Sequence, residues 1–134
     1  MHPMRLLLAD DNPTILNSLV NMLQGNFVVA GTFTDGSSVL NQFLRLTPDI
    51  IILDISMGEQ NGIELATRLR DSGSRSKIVF LTIHDDRDFL NAAIGAGGSA
   101  YVVKAHLSAE LVPAIDAALH DKLFLSASLL QKPH

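Results

Sequence analysis

The sequence predicts a single α/β domain built around a parallel β-sheet. Short runs of large apolar residues recur along the chain, and each run is followed by a segment with helical periodicity. Such runs are typical of strands that are buried on both faces, as strands of a parallel sheet are. Strands that alternate with helices imply βαβ units with right-handed crossovers. The length of 134 residues fits one domain whose core needs no disulfide bonds.

The first strand–helix unit has the clearest boundaries. Residues 6–9 are Leu-Leu-Leu-Ala and are predicted to form the first strand. Asn12 is a favoured N-cap residue, and Pro13 suits the first position of the helix that follows. Gly25 is predicted to end this helix.

The other four units repeat this pattern. The predicted strands are 27–32, 50–53, 77–81 and 100–103, and the predicted helices are 35–46, 61–70, 86–96 and a fifth that is capped by Ser108 and runs to about residue 120. Pro113 lies near the first turn of the fifth helix, where its missing N–H is expected to bend the helix. In the tail, 122–125 is expected to be a short extended piece, and 126–131 is expected to begin another helix.

Composition narrows the classes of function. Hydrophobic residues make up 47% of the chain, which suits a packed core and argues against disorder. The formal net charge of −4 gives no basic surface, so this segment is not expected to bind nucleic acid itself. The chain has no cysteine, which excludes a thiol nucleophile and fits a cytoplasmic location. No apolar stretch has the length of a signal peptide or a membrane span.

Polar residues follow or end four of the five apolar runs. They are Asp10, Asp11, Asp54, Thr82 and Lys104. Ligands of open α/β sheets bind at the carboxyl ends of the strands, so we expect these side chains to gather at one edge. Carboxylates are ligands for Mg²⁺, and a carboxylate can also serve as a covalent phosphoryl acceptor. The set therefore predicts a divalent metal site beside a carboxylate nucleophile.

Each of these residues also has an ordinary explanation when it is taken alone. Adjacent aspartates such as Asp10 and Asp11 are common in turns, and Asp54 is explained equally well as a loop residue that caps the next turn. Thr82 is a β-branched strand former, and Lys104 resembles any exposed lysine at a strand end. The combination is more informative than its members, because unrelated loops would rarely supply all five in this order.

Several segments resemble the receiver domain of two-component response regulators. They are 8–12 (LADDN), 54–57 (DISM), 62–65 (GIEL), 81–82 (LT) and 101–104 (YVVK). Segments 81–86 (LTIHDD) and 95–101 (GAGGSAY) are similar to the NarL/LuxR-type branch. The resemblance covers about 4–120. It implies a (βα)5 flavodoxin-like fold, like that of CheY, with a five-stranded parallel sheet in the order 2-1-3-4-5 and helices on both faces.

The resemblance also implies roles for the acidic residues. Asp54 would be the phosphoacceptor. Mg²⁺ would be bound directly by Asp11, Asp54 and the backbone carbonyl of Ser56, whereas Asp10 would act mainly through water.

Further roles follow from the resemblance for the residues on the neighbouring strands. Thr82 and Lys104 would hold the phosphoryl group. Tyr101 would be the aromatic switch residue whose rotamer follows the state of Thr82. By their positions on the fourth helix, rather than by the resemblance, Leu90 and Ile94 are expected to belong to an exposed partner or dimer surface.

The chain departs from the family pattern at two positions. Gly58 stands where the family usually has proline, so the loop after Asp54 is expected to be more mobile. Ala105 replaces a proline that often follows the lysine, so the Lys104–Ala105 peptide bond is expected to be trans. His84 lies two residues past Thr82 and is expected to be an ordinary loop residue rather than a group at the site.

The partners expected from the resemblance are a sensor histidine kinase and a second copy of the chain after phosphorylation, with no membrane contact. DNA would be bound only through an output domain that is absent from this sequence. We expect 4–120 to be the receiver domain and 121–134 to be a C-terminal extension that begins an interdomain linker. A stand-alone receiver that acts through protein–protein contacts is the alternative. The chain is expected to be a signalling phosphoacceptor rather than an enzyme with turnover on other substrates.

Three rival functions use a similar fold or chemistry. A haloacid-dehalogenase-like phosphatase needs Asp-x-Asp after the first strand, which the sequence Asp10-Asp11-Asn12 does not supply. A flavodoxin-like FMN-binding protein needs a phosphate loop at the same place, and this too is missing. A degenerate receiver that serves as a constitutive interaction module is disfavoured by the complete acceptor set.

Overall fold

Strands and helices alternate along the chain as predicted. The computed structural model describes residues 3–57, 60–83 and 87–130. The strands are β1 (Arg5–Ala9), β2 (Val28–Phe33), β3 (Ile50–Asp54), β4 (Ser56–Met57), β5 (Gln60–Asn61), β6 (Lys77–Thr82), β7 (Ala100–Val103) and β8 (Phe124–Leu125). The helices are α1 (Pro13–Leu23), α2 (Gly36–Leu46), α3 (Gly62–Asp71), α4 (Arg87–Gly95), α5 (Leu107–Leu119) and α6 (Ala127–Leu130), and a 3₁₀ turn spans Lys104–His106.

The main sheet has the order β2-β1-β3-β6-β7-β8, and every neighbouring pair in it is parallel. Its five long strands follow the predicted order 2-1-3-4-5. The prediction of five strands was incomplete, because the short extended piece at Phe124–Leu125 pairs with β7 and adds a sixth strand. Strands β4 and β5 form a separate antiparallel hairpin directly after β3.

The helices cover the sheet on both faces. One core layer joins residues such as Leu7 and Ile51 to helices α2, α3 and α4. The other layer joins residues such as Leu8 and Ile52 to helices α1 and α5. All five residues of β3 and nearly all of β1, β6 and β7 are buried, which confirms that these runs are strands with two covered faces, whereas the edge strand β2 is only partly buried. None of the helices in the described part of the chain is long and apolar enough to cross a membrane.

The helix starts agree with the sequence at α1 but not at α5. The Asn12 side chain accepts hydrogen bonds from the amides of Thr14 and Ile15, and Pro13 opens the helix. Ser108 does not cap α5, because the helix begins at Leu107 directly after the 3₁₀ turn. The amide of Leu107 donates to the Lys104 carbonyl, so the turn supplies the first hydrogen bond and no capping side chain is used.

Helix α4 corrects one surface prediction. Leu90 is buried beside Ala93 in the core, so the prediction that it lies on an exposed surface was wrong. Ala93 is at the centre of the buried face, with Leu90 and Ala96 on its flanks, and Ile94 lies outside this face with 40% of its surface exposed. The predicted helix start at Asp86 lies outside the described residues.

Candidate functional site

Four strands of the main sheet deliver polar residues to one edge. Asp10 directly follows β1, Asp54 ends β3, Thr82 ends β6 and Lys104 directly follows β7. The strand registers bring these ends level with one another, because Ala9 pairs with Leu53, Asp54 with Leu81 and Thr82 with Val103. The predicted gathering of these residues at the carboxyl ends of the strands is therefore confirmed.

Three carboxylates form the acidic part of the site. Asp10, Asp11 and Asp54 each offer an oxygen, and these oxygens lie within 4.8 Å of one another. Asp10 and Asp54 are buried, whereas Asp11 is exposed. An all-oxygen, carboxylate-rich set that opens to solvent on one side suits a hard divalent cation that keeps part of its water shell. These residues could hold such a metal ion.

Lys104 is the cation that the two buried carboxylates share. Its Nζ lies 2.7 Å from Asp10 Oδ2 and 3.4 Å from Asp54 Oδ1, and only 14% of its side chain is exposed. One largely buried positive charge therefore offsets part of the repulsion between two buried negative charges. The sequence placed Lys104 at this edge but gave no sign that it would pair with Asp10.

Backbone amides fix the orientation of the same carboxylates. The amide of Asn12 donates to Asp10 Oδ1 at 2.9 Å, and the amide of Ser56 donates to Asp54 Oδ1 at 3.2 Å. The contacts of Asp54 with Ser56 and Lys104 both fall on Oδ1. The other oxygen, Oδ2, is not the atom that these two groups contact, so it can form a bond without replacing either of them.

The environment of Asp54 raises the pKa of its carboxyl group to about 6 from an ordinary value of 3.8. Burial is the main cause, because it disfavours the charged form, and the Asp10 carboxylate adds to it by repulsion. Lys104 and the Ser56 amide act in the opposite direction and lower the pKa. At neutral pH the carboxyl group is mostly ionised, which is the form that can act as a nucleophile.

Gly62 is a positioning residue to which the sequence assigned no role. A Cβ atom added to Gly62 would lie 2.2 Å from the carbonyl oxygen of Asp54, and its amide donates to the Ile55 carbonyl at 2.7 Å. The start of α3 therefore rests directly on the backbone of the acceptor strand, and only glycine permits this approach. In the sequence, this close contact could have been suspected from the presence of a glycine near the start of the third predicted helix.

Thr82 and Tyr101 are both almost fully buried, at 1% exposure. Thr82 lies at the edge that carries the site. Tyr101 is on β7, opposite Phe80 of β6, and its side chain packs in the core. Ser56 is exposed directly after Asp54 and Ile55, and the role of its carbonyl as a metal ligand stays a prediction.

The two departures from the family pattern have different outcomes. No cis peptide bond occurs in the described part of the chain, which includes the Lys104–Ala105 bond and confirms that it is trans. Gly58 and His84, and with them the predictions of a mobile loop and an ordinary loop histidine, lie outside the described residues.

The comparison with protein families decides the identity of this arrangement. The family model described as the response regulator receiver domain matches residues 6–116. The chain belongs to this family. The recognition of a receiver domain from the sequence is thereby confirmed, and the order of its five long strands and its acidic edge are those expected from the resemblance.

Relatives of this receiver domain are transcriptional regulators. The chain is 34% identical over 116 residues to the transcriptional regulatory protein LiaR of Bacillus subtilis (strain 168), covering 85% of this chain and 55% of LiaR. It is 33% identical over 118 residues to the transcriptional regulatory protein PdtaR of Mycobacterium tuberculosis (strain ATCC 25618 / H37Rv), covering 87% of this chain and 57% of PdtaR. The chain thus spans little more than half the length of these relatives.

A solved structure agrees with the predicted branch. The two-component response regulator of the LuxR family from Aurantimonas sp. SI85-9A1 superposes with a TM-score of 0.91 at 28% sequence identity. The match covers 97% of this chain and 94% of that chain. It therefore includes most of the tail beyond residue 120.

Proposed function

We propose that this receiver domain is switched by phosphorylation of Asp54, with Mg²⁺ bound at the acidic cluster. The observation that supports this most strongly is the Asp54 carboxylate itself, which is buried at the end of the central strand beside Lys104 and two further carboxylates. Burial, a pKa raised to about 6 and a place among three carboxylates that could hold a metal ion all support Asp54 in this role.

The proposed step is a phosphoryl transfer from a phosphohistidine of a sensor histidine kinase. Asp54 Oδ2 forms a bond to phosphorus as the phosphorus–nitrogen bond of the donor breaks, and the imidazole of the donor keeps the electron pair. Because the Ser56 amide donates to Oδ1, the carboxylate keeps its orientation while Oδ2 reacts. Catalysis is then mainly positioning and charge neutralisation, as phosphoryl transfer generally requires.

The acidic cluster is proposed to hold the metal ion. Asp11, Asp54 and the Ser56 carbonyl would bind Mg²⁺ directly, and Asp10 would act mainly through water. When bound, Mg²⁺ would neutralise charge on the phosphoryl oxygens and on the crowded carboxylates.

Lys104 and Thr82 are proposed to hold the phosphoryl group after transfer. Lys104 already lies between Asp10 and Asp54, so a small displacement brings its ammonium group to a new anion on Asp54. The Thr82 hydroxyl at the end of the next strand can donate to a phosphoryl oxygen. Tyr101 would follow Thr82 and carry the change away from the site.

Transcription regulation is the output that we propose for the full signalling pathway. The names of LiaR and PdtaR as transcriptional regulatory proteins support this. DNA would be bound by an output domain that is not in this sequence, and phosphorylation would promote a homodimer. We propose that the domain works in the cytoplasm and catalyses only its own phosphorylation and dephosphorylation. A stand-alone receiver that acts by protein contacts is the second candidate.

A small phosphodonor tests this proposal without knowledge of the kinase. The parent protein and Asp54→Asn are incubated with acetyl phosphate and Mg²⁺, and intact masses are measured. The parent should gain one phosphoryl group, and the variant should gain none. A parent that gains no mass, or a variant that is labelled equally, would contradict the proposal.

The switch role of Thr82 needs a separate measurement. Thr82→Ala keeps the nucleophile, so it should still accept a phosphoryl group at Asp54. It should lose most of the chemical-shift changes that phosphorylation produces around residues 87–104 in the parent, because the hydroxyl that couples site and strand is gone. Equal shift changes in both activated proteins would refute the coupling.

A further inference from the structure

The segment 124–127, which we name the latch segment, is fixed to the domain by backbone and side-chain bonds. Its strand β8 runs parallel to β7, with Tyr101 opposite Leu125. The amide of Ser126 then donates to the Tyr101 carbonyl at 2.9 Å. Ser126 is fully buried, which is unusual for a serine and indicates a specific docking position.

One carboxylate on α5 holds the end of the latch segment. Glu110 Oε1 accepts a hydrogen bond from the Ser126 hydroxyl, and Glu110 Oε2 accepts one from the Ala127 amide at 3.0 Å. Because the Ala127 amide opens α6, Glu110 acts as a cap contributed by another helix. Both oxygens of this half-buried carboxylate are therefore used to bind the latch segment.

The two anchors of the latch segment lie on either side of Lys104 in the chain. Tyr101 is on β7, which leads directly into Lys104. Glu110 is in the first turn of α5, which follows the 3₁₀ turn that starts at Lys104. The same short stretch of chain thus carries the cation of the acidic site and both attachment points of the latch segment.

We infer that the latch segment is an intramolecular sensor of the position of Lys104. In this structure Lys104 pairs with Asp10 and Asp54 while the latch segment is docked, so the two arrangements occur together. A group on Asp54 that draws Lys104 into a new position shifts β7 and the start of α5 and weakens docking. The part of the inference that concerns phosphorylation rests on the proposed function.

Thermodynamic linkage makes the inference testable from both ends. If occupation of the acidic site weakens docking, then loss of docking must strengthen occupation of the site by the same factor. Coupling between sites in one domain commonly corresponds to a factor of about 5 or more. We therefore expect changes of about 5-fold in both directions.

The experiment measures amide hydrogen exchange at Ser126 and Ala127 by NMR in the full chain. Two perturbations are compared. Lys104→Met removes the positive charge of the lysine and needs no added ligand. Beryllofluoride with Mg²⁺ mimics a phosphoryl group on Asp54 of the parent. Each should speed exchange at both amides about 5-fold relative to the amides of β1, whose rates report any change in global opening. Glu110→Ala should also speed exchange at these two amides and should tighten beryllofluoride binding about 5-fold.

Asp116→Ala is the matched control, because Asp116 is an exposed carboxylate on the same helix that pairs with His120 and does not contact the latch segment. This variant should change neither the exchange rates of the Ser126 and Ala127 amides nor the affinity for beryllofluoride. The inference is overturned if Lys104→Met leaves both amides at the rates of the control. If beryllofluoride does not bind the parent, the proposed function fails, and the Lys104→Met measurement still decides whether the latch senses Lys104.

Discussion

At the scale of single residues, the site is governed by one cation shared between two buried carboxylates. Lys104 lies within 3.4 Å of an oxygen of both Asp10 and Asp54. The sequence predicted that these residues share an edge, because the ends of parallel strands must meet there. It did not predict their pairing or the raised pKa of Asp54, since both depend on rotamers and depth of burial that no sequence pattern records.

The raised pKa of Asp54 predicts how stability depends on pH in the metal-free protein. Between an unfolded-state pKa near 3.8 and a folded-state pKa of about 6, the folded protein binds more protons, so its stability falls as pH rises. Asp54→Asn removes this titration. The variant should exceed the parent by on the order of 2 kcal/mol at pH 8, and the difference should shrink as pH falls and vanish only below about pH 3.8.

Urea unfolding in EDTA across this pH range measures the effect. Asp116→Asn, which changes an exposed carboxylate, is the control and should show no such gain. A difference between Asp54→Asn and the parent that stays constant from pH 4 to pH 8 would show that burial of Asp54 does not penalise its charge.

At the scale of elements, the sequence predicted all five long strands and five helices, because their apolar periodicities are clear. The sequence-based prediction was wrong or incomplete where contacts between distant parts of the chain determine the local structure. The 3₁₀ turn after β7 moves the start of α5 away from Ser108, and β8 forms only because its backbone finds the open edge of β7. The close approach of Gly62 to the backbone of Asp54 is of the same kind, since it joins two elements that are separate in sequence.

Gly62→Ala should push the start of α3 away from the acceptor strand. The added methyl group would meet the Asp54 carbonyl at 2.2 Å, so the backbone has to shift. We expect a loss of about 1–3 kcal/mol in unfolding free energy, together with weaker Mg²⁺ binding because the Asp54–Ser56 loop moves. Urea unfolding and a Mg²⁺ titration followed by NMR measure the two effects.

Gly25→Ala provides the matched substitution, because a Cβ at Gly25 meets nothing within 4 Å. It should leave Mg²⁺ binding unchanged and keep stability within about 1 kcal/mol of the parent. The account of Gly62 fails if the two variants behave alike.

At the scale of the whole molecule, repulsion between the carboxylates at the acidic edge lowers the stability of the fold, and a bound cation relieves this repulsion. Three carboxylates that each place an oxygen within 4.8 Å of the others repel one another, and Lys104 forms ion pairs with two of them, Asp10 and Asp54. Folding brings these charges together because the apolar strands that carry them must align. Metal binding to the folded state should therefore stabilise the entire domain.

Asp11→Ala should separate the metal contribution from the fold. In the parent, Mg²⁺ at about 100 times its Kd should add about 2.7 kcal/mol to the unfolding free energy. At the same concentration the variant should gain much less, while its metal-free stability should be equal to or higher than that of the parent because one repelling charge is gone. Thermal unfolding with and without Mg²⁺ checks both, with Asp116→Ala expected to keep the full gain. A variant that gains as much as the parent would remove Asp11 from the ligand set.

The most direct test of the central claim is to locate the acyl phosphate in the chain. The protein is phosphorylated with acetyl phosphate and Mg²⁺, reduced with borohydride so that a phosphorylated aspartate becomes homoserine, and digested for peptide mass spectrometry. The account predicts homoserine at position 54, and the conversion should be lost when Mg²⁺ is replaced by EDTA. Homoserine at another aspartate, or none at all in the presence of Mg²⁺, would contradict it.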